Sequence, residues 1–291
     1  MNLLHLQYFY VVAKERGFTN ASRVLRIQQP AISRMVALLE DDLGFKLFER
    51  VGRGIQLSKP GEEVFEYCAK IFGAVEDLDR SLGRIAGEVK GPLLIAAAEP
   101  IASHFVPKVI SRVLIENPDV YPNVFSGPAS MLFDRIIKGE IEIGMFFHIP
   151  DLDSKLELFK SQATRFHLVV RKDLRRKKEV LERFIGSREI DDTSTRRFPT
   201  LERLRRDHPN AKIRISSNNL TAHRAMVLEG LGVSVLPHFL VEPDLKSGSL
   251  TDLYPQEELK FQMKFIKRKT AVLSATALAW LKECEEASGL I

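Results

Sequence analysis

A chain of 291 residues with 45% apolar content is long enough for two or three folded units, while a net charge of +5 is too small to argue for a polyanionic partner by itself. No run of about 18 apolar residues occurs, which excludes a helical membrane span, and the N-terminus lacks the basic stretch and small-residue cleavage site of a signal peptide. Two cysteines, Cys68 and Cys284, lie far apart without metal-ligand spacing, so a reduced cytoplasmic location and no metal or other cofactor are expected.

Charge is unevenly spread. Residues 1–60 carry nine Lys or Arg against five Asp or Glu, whereas residues 61–91 carry four against seven. A basic head on an acidic segment is compatible with an anionic polymer. Leu3, Leu6, Phe9, Tyr10 and Ala13 recur at helical spacing and predict a first short helix ended by Gly17. Thr19 and Asn20 offer an N-cap to a second helix, "ASRVL", with Ala21, Val24 and Leu25 inward. After a tight turn at Arg26 and Ile27, a third helix starts near Gln29. Pro30 fits its first turn, where the missing N–H would have had no intrahelical partner. Ile32, Val36, Leu39 and Leu43 then form a narrow apolar stripe. The opposite face carries Gln29, Pro30, Ser33, Arg34 and Ala37. Short-chained, polar and basic at its N-terminal end, it has the profile of a helix laid in a DNA major groove. "KLFERVGRGIQLS" reads as two short strands around a turn at Gly52 to Gly54, a wing with Arg50 and Arg53 at or near its tip.

Pro60 and Gly61 open a long helix. Val64, Cys68, Ile71, Val75, Leu78, Leu82 and Ile85 alternate spacings of four and three, the pattern of a coiled-coil seam, and predict dimerisation. Such a dimer would bring its two Cys68 side chains close together, as small apolar fillers, with a redox bridge as the alternative. "GEVKGP" (Gly87 to Pro92) reads as a hinge. Beyond it, "LLIAAA", "VYPNVFSG" and "IEIGMFF" read as strands, with helices in "HFVPKVISRVLIENP" and "ASMLFDRIIKGE". This alternation implies a parallel sheet covered on both faces. "FHLVVR" starts a second group. Residues 165–214 hold sixteen Lys or Arg against eight acidic residues, read as a solvated helical face with a second polyanion surface as the alternative. "AKIRISSNNLTAHRAMVLEG" predicts a strand, a loop and a helix ended by Gly230 or Gly232; a short strand stopped by Pro237 follows, and "LSATALAWLKECEEA" is a final amphipathic helix.

Residues 3–61 resemble the winged helix-turn-helix of LysR-type transcriptional regulators. "FTNASRVL" resembles the first helix of that motif, "QPAISRMVALLEDDLGFKLFER" its recognition helix and first wing strand, and "GRGIQLSKPGEE" the rest of the wing and the linker start. The remainder, "GPLLIAAAEP…FVPKVI…NPDV…GEIEIGMF…LEGLGVSVLP", is similar to that family's effector domain in order and spacing. The resemblance implies an α+β multidomain fold. A winged helix-turn-helix would occupy residues 1–59 and a dimerising linker helix 60–88. A two-lobed α/β effector domain, like periplasmic solute-binding proteins, would span 89–291. Lobe I would take about 91–161 and 267–291, lobe II about 162–266, with crossings near 162 and 266. The implied partners are double-stranded operator DNA with dyad symmetry, a second copy of the chain in a homodimer or homotetramer, a small-molecule effector, and RNA polymerase.

DNA-binding candidates are then Thr19, Gln28, Gln29, Pro30, Ala31, Ser33, Arg34, Arg50 and Arg53. Relatives place Ser where Gln28 stands, and Gln caps a helix less well, at a local cost of up to ~1 kcal/mol. Effector-binding candidates are Glu99, Pro100, Ile101, Ala102, Ser103, Pro128, Ala129, Ser130, Phe147, His148, Thr195 and Thr221. Ser130 suits a helix cap or an anion contact. Relatives that bind carboxylates carry Ser or Thr where Pro100 and Pro128 align, so a small apolar or weakly charged effector is expected instead. The rival readings are a cytosolic solute-binding sensor whose head serves only dimerisation, and an enzyme on the two-lobed fold. No triad, phosphate loop or metal spacing supports an enzyme.

Overall fold

The computed structural model describes residues 2–52, 54–149, 151–187 and 204–287. Its contacts divide the chain into two compact units, Met1–Leu82 and Gly83–Ile291.

In the first unit, α1 (Leu3–Lys14) is capped by Asn2, whose side chain accepts from the Leu4 N–H at 2.9 Å. It buries Leu6, Phe9 and Val12, while Leu3 is exposed. Helix α2 (Phe18–Leu25) follows Gly17 directly, so Thr19 and Asn20 lie inside its first turn rather than capping it. Only Ala21 is buried in α2, and Val24 is exposed, because a two-turn helix offers α1 and α3 a narrow strip of contact. Arg26 adopts the left-handed conformation (φ 55°), a place glycine usually takes, and turns the chain into α3 (Gln29–Leu43). Pro30 stands at the opening of that helix. Ile32, Val36 and Leu39 close over Leu6, Phe9 and Leu47 in one core.

The wing is the antiparallel hairpin β1 (Phe48–Val51) and β2 (Gly54–Leu57), with Val51 opposite Gly54. Ser58 then heads α4 (Lys59–Ile85): its hydroxyl donates to the Lys46 carbonyl at 2.6 Å and accepts from the Gly61 N–H at 3.0 Å. The helix runs so close to the wing that a Cβ on Gly61 would lie 2.1 Å from the Leu47 carbonyl oxygen.

In the second unit, β3 (Gly91–Ala97) pairs in parallel with β4 (Val120–Ser126) and β5 (Ile143–Phe146). A π-helical turn (Ile101–Phe105) leads into α5 (Val106–Glu116), and α6 (Ala129–Ile137) follows β4. The long strand β6 (Leu156–Arg171) leaves this lobe, and β11 (Leu259–Arg268) returns to it antiparallel along β6 and β5. The expected all-parallel sheet is therefore mixed, because a chain that leaves a lobe and comes back must reverse direction. Lys264 to Ile266 already pair with β5, so the return crossing comes before them.

The other lobe holds α7 (Lys178–Leu181), β7 (Arg183–Gly186), β8 (Lys212–Ser216), α8 (Leu220–Leu228), β9 (Ser234–Pro237), α9 (His238–Ser247) and β10 (Leu250–Asp252). Strands β9 and β10 both flank β6. The final helix α10 (Ala275–Glu286) returns to the first lobe and packs with α5. Along β3 the side chains alternate: Leu93, Ile95 and Ala97 join one core, and Ala96 joins another with Leu132, Phe133 and Ile136 of α6. The first of these cores continues into the second lobe through Val169, Val227, Leu236 and Phe239. It also contains Trp280, wholly buried, whose indole N–H has no acceptor among the described residues.

Candidate nucleic-acid interface and interlobe site

Helix α3 exposes Gln29, Pro30, Ala31, Ser33 and Arg34 on the side opposite its buried stripe. Gln28 precedes it in an extended conformation and makes no side-chain cap bond. The helix thus presents its partially positive amide end uncapped, a favourable place for a phosphate. Thr19 is exposed on α2. Arg50 is exposed but paired with Ile55 inside the hairpin, so it projects from the strand and not from the tip. Arg53 lies outside the described residues.

The position of the wing depends on a residue that sequence reasoning missed. Glu40, on the buried side of α3, accepts from the backbone N–H groups of Leu47 (2.9 Å) and Phe48 (3.3 Å) and from Lys46 Nζ (2.7 Å). A carboxylate amid apolar residues is costly unless it is satisfied, and here three donors satisfy it. Its signal was only an acid where the stripe called for an apolar residue.

The seam on α4 divides in two. Val64 packs against the head core and Cys68 is part of that core, 1% exposed. These two are corrections, since the first turns of α4 are already covered by α1 and the wing. Burial also pushes the Cys68 thiol up to about 11. From Ile71 onward the same spacing is uncovered: Val75, Leu78, Leu82 and Ile85 are exposed, Leu78 to 57% and Ile85 to 78%. An aligned apolar strip of this kind is what a partner helix covers.

In the second unit, three loops follow the carboxyl ends of the parallel strands β3, β4 and β5: Ala98 to Ser103, Gly127 to Ser130, and Phe147 to His148. This edge is where open α/β sheets receive ligands. Glu99 is half-buried there. Its carboxylate accepts from the Ser103 hydroxyl at 3.1 Å and, across to the other lobe, from the Thr221 hydroxyl at 2.8 Å. The Ala98 N–H donates to the Met145 carbonyl at 3.0 Å, which lays the Glu99 loop beside the Phe147 loop. Phe147 lies nearly parallel to Phe239 at 6.2 Å and edge-on to Phe166 at 5.0 Å.

Other candidates fare differently. Pro100 and Ile101 are buried, Ile101 in the core itself, because the π-helical turn directs them inward. Ala102 packs against that core. Pro128 takes the cap position of α6, and Ala129 and Ser130 open it, which puts Ser130 two positions past the cap. Hydrogen bonds join Glu99, Ser103 and Thr221 into one group, and Pro128 to Ser130 stand outside it. Thr195 lies outside the described residues.

Charged groups gather around this edge. Lys108 bonds Glu242 across the lobes at 3.3 Å, and Arg224 grips Asp244 by two bonds of 2.6 and 2.8 Å. His104 is depressed below its ordinary value by burial, opposed by Glu99 and reinforced by Arg224 and Lys108. Nearby, His167 Nδ1 lies 2.7 Å from Asp252 and its Nε2 lies 2.9 Å from His238 Nδ1. These contacts link Asp252, His167 and His238 in a chain. Burial and then His167 hold His238 below its ordinary value. Its partners come from β6, β10 and α9, far apart in sequence, so no local pattern announced the chain.

Among the described residues no group of three His, Cys, Asp or Glu side chains is arranged to hold a metal ion, and no helix is long and apolar enough to cross a membrane.

Comparison with known proteins adds two family matches. Residues 3–62 match the bacterial regulatory helix-turn-helix protein of the lysR family, and residues 86–289 match the LysR substrate binding domain. An uncharacterized HTH-type transcriptional regulator of Bacillus subtilis (strain 168), YusT, is 30% identical over 276 residues, 93% of this chain and 90% of that protein. A full-length OxyR variant of Pseudomonas aeruginosa shares the fold at a TM-score of 0.64 and 21% identity, covering 100% of this chain and 94% of that one. Full-length CbnR, solved in complex with its target DNA, shares it at 0.56 and 19% identity, covering 99% and 100%.

Proposed function

Since the chain belongs to the LysR family of bacterial regulatory proteins, we propose that two copies paired along α4 set their α3 helices into an operator with dyad symmetry. The chain is a DNA-binding transcriptional regulator carrying an effector-binding domain, in a family of regulators rather than enzymes. One observation carries the reading of the operator: the exposed polar and basic face of α3, backed by a buried stripe. Gln29 offers a paired donor and acceptor to a base edge, most naturally adenine, while Ser33 and Arg34 suit phosphate. Arg50 and Arg53 reach the flanking backbone or minor groove from the wing.

A small molecule held between the lobes regulates the assembly. It acts only through unequal affinity for two arrangements of the chain, which alter DNA bending and contact with RNA polymerase. Two such dimers joined through their effector domains make the tetramer.

Footprinting on the surrounding genomic DNA tests the operator reading, with salt titrations of two variants. Arg34→Ala should weaken binding to all sequences alike and reduce the salt slope by about one. Gln29→Ala should cost about 1–3 kcal/mol at one base pair and spare the rest. Retention that shows neither salt sensitivity nor sequence preference removes the proposal.

A further inference from the structure

We propose that the effector is a cation, an ammonium or guanidinium group on an apolar body, with Glu99 as its counter-ion; this rests on the interlobe effector reading above. Glu99 is a half-buried carboxylate at the junction of the lobes, and its partners are two neutral hydroxyls, Ser103 and Thr221. A carboxylate accepts about four hydrogen bonds, so lone pairs remain on both oxygens. Among the described residues no full positive charge contacts it. Two cations of the same edge are already committed, Arg224 to Asp244 and Lys108 to Glu242, and burial holds the neighbouring His104 below its ordinary value.

The chain's own helices hold the charge in place without neutralising it. Glu99 meets the N-terminal turn of α8 through Thr221, where the partial positive end of a helix favours an anion. A π-helical turn follows Glu99 closely and places Ser103 on its other oxygen. Such turns are rare and occur frequently at functional sites.

Apolar character comes from the neighbouring loop. Phe147 is half-buried beside the Glu99 loop and stacks on Phe239, which in turn approaches Phe105 at the end of the π-helical turn (6.0 Å). An aromatic cluster on the loop next to a carboxylate suits a cationic head by charge and by the quadrupole of its rings. A carboxylate effector would meet repulsion at the same place. Because Thr221 and Ser103 come from opposite lobes, a cation that replaces their hydroxyls at Glu99 is also felt by both lobes.

The test uses matched probes on the full-length protein: 2-phenylethylamine, 2-phenylethanol and 3-phenylpropionate, with butylamine, butanol and butyrate as a slimmer set. Melting temperature and calorimetric titration are read for the wild type, Glu99→Gln and Thr221→Val. The amines should bind the wild type most tightly, and E99Q should weaken them about 10- to 100-fold, the loss of a charged hydrogen bond. T221V keeps the carboxylate and should keep the amine preference, which separates lost charge from lost folding. Alcohols or carboxylates binding as well as amines, or an amine preference that survives in E99Q, overturns the cationic assignment and leaves the interlobe site standing. No binding by any probe, with operator protection intact, overturns both.

Discussion

Glu40 shows how a single side chain can decide where an entire hairpin sits. It is 9% exposed and is the only described side chain that accepts from the N–H groups of Leu47 and Phe48. Glu40→Ala leaves those donors facing an apolar core, at a cost of about 2–4 kcal/mol, and urea titration should show a lowered midpoint. Glu40→Gln keeps one carbonyl oxygen for the two N–H groups and should fall between. Three histidines act at the same scale. Burial depresses His104 and His223, and burial followed by its neighbour His167 depresses His238. His223 is the most enclosed, bonded to the Ser217 carbonyl at 2.8 Å and the Ser234 hydroxyl at 3.2 Å. The folded state therefore binds fewer protons than the unfolded chain below an ordinary imidazole value of about 6.5. Stability rises with pH through that window and is lost as pH falls. Thermal melts should move to lower temperature from neutral to mildly acidic pH, and His223→Gln should flatten that slope.

Elements carry the next set of consequences. The outer part of α4 leaves Val75, Leu78, Leu82 and Ile85 uncovered along one line. Leu78→Glu puts a charge in the middle of that line, and sedimentation analysis should show a shift from dimer to monomer at micromolar concentration. Persistence of the dimer would move the contact elsewhere. Legibility also divides by element. Helices α1, α3 and α4 were readable because each has one apolar face on a surface helix, and the wing was readable from its glycines. Helix α9 was missed because its buried residues Phe239, Leu240 and Val241 are consecutive and Pro243 interrupts it. Strand β11 was missed because Lys260 and Lys264 interrupt the apolar run that Met263 and Phe265 belong to. At the interlobe edge the loops were found from strand ends. The pairing of Glu99 with Thr221 was not, since the two stand in different lobes and only the fold makes them neighbours. Cys68 failed for the opposite reason: its heptad position was right, but the head had already covered it.

Across the whole molecule, two units with separate cores need not unfold together. The aromatic side chains report this unequally. Trp280 is the sole tryptophan and lies entirely within the core of the second unit. Glu40→Ala should therefore shift the melt followed by far-ultraviolet circular dichroism, to which both units contribute, while the midpoint of indole emission stays where it is. Coincident shifts would show the units coupled. With its ring closed off from solvent, that indole is a native fluorophore confined to one half of the protein. Its colour can follow a titration of the lobes while the DNA-reading half contributes no indole emission.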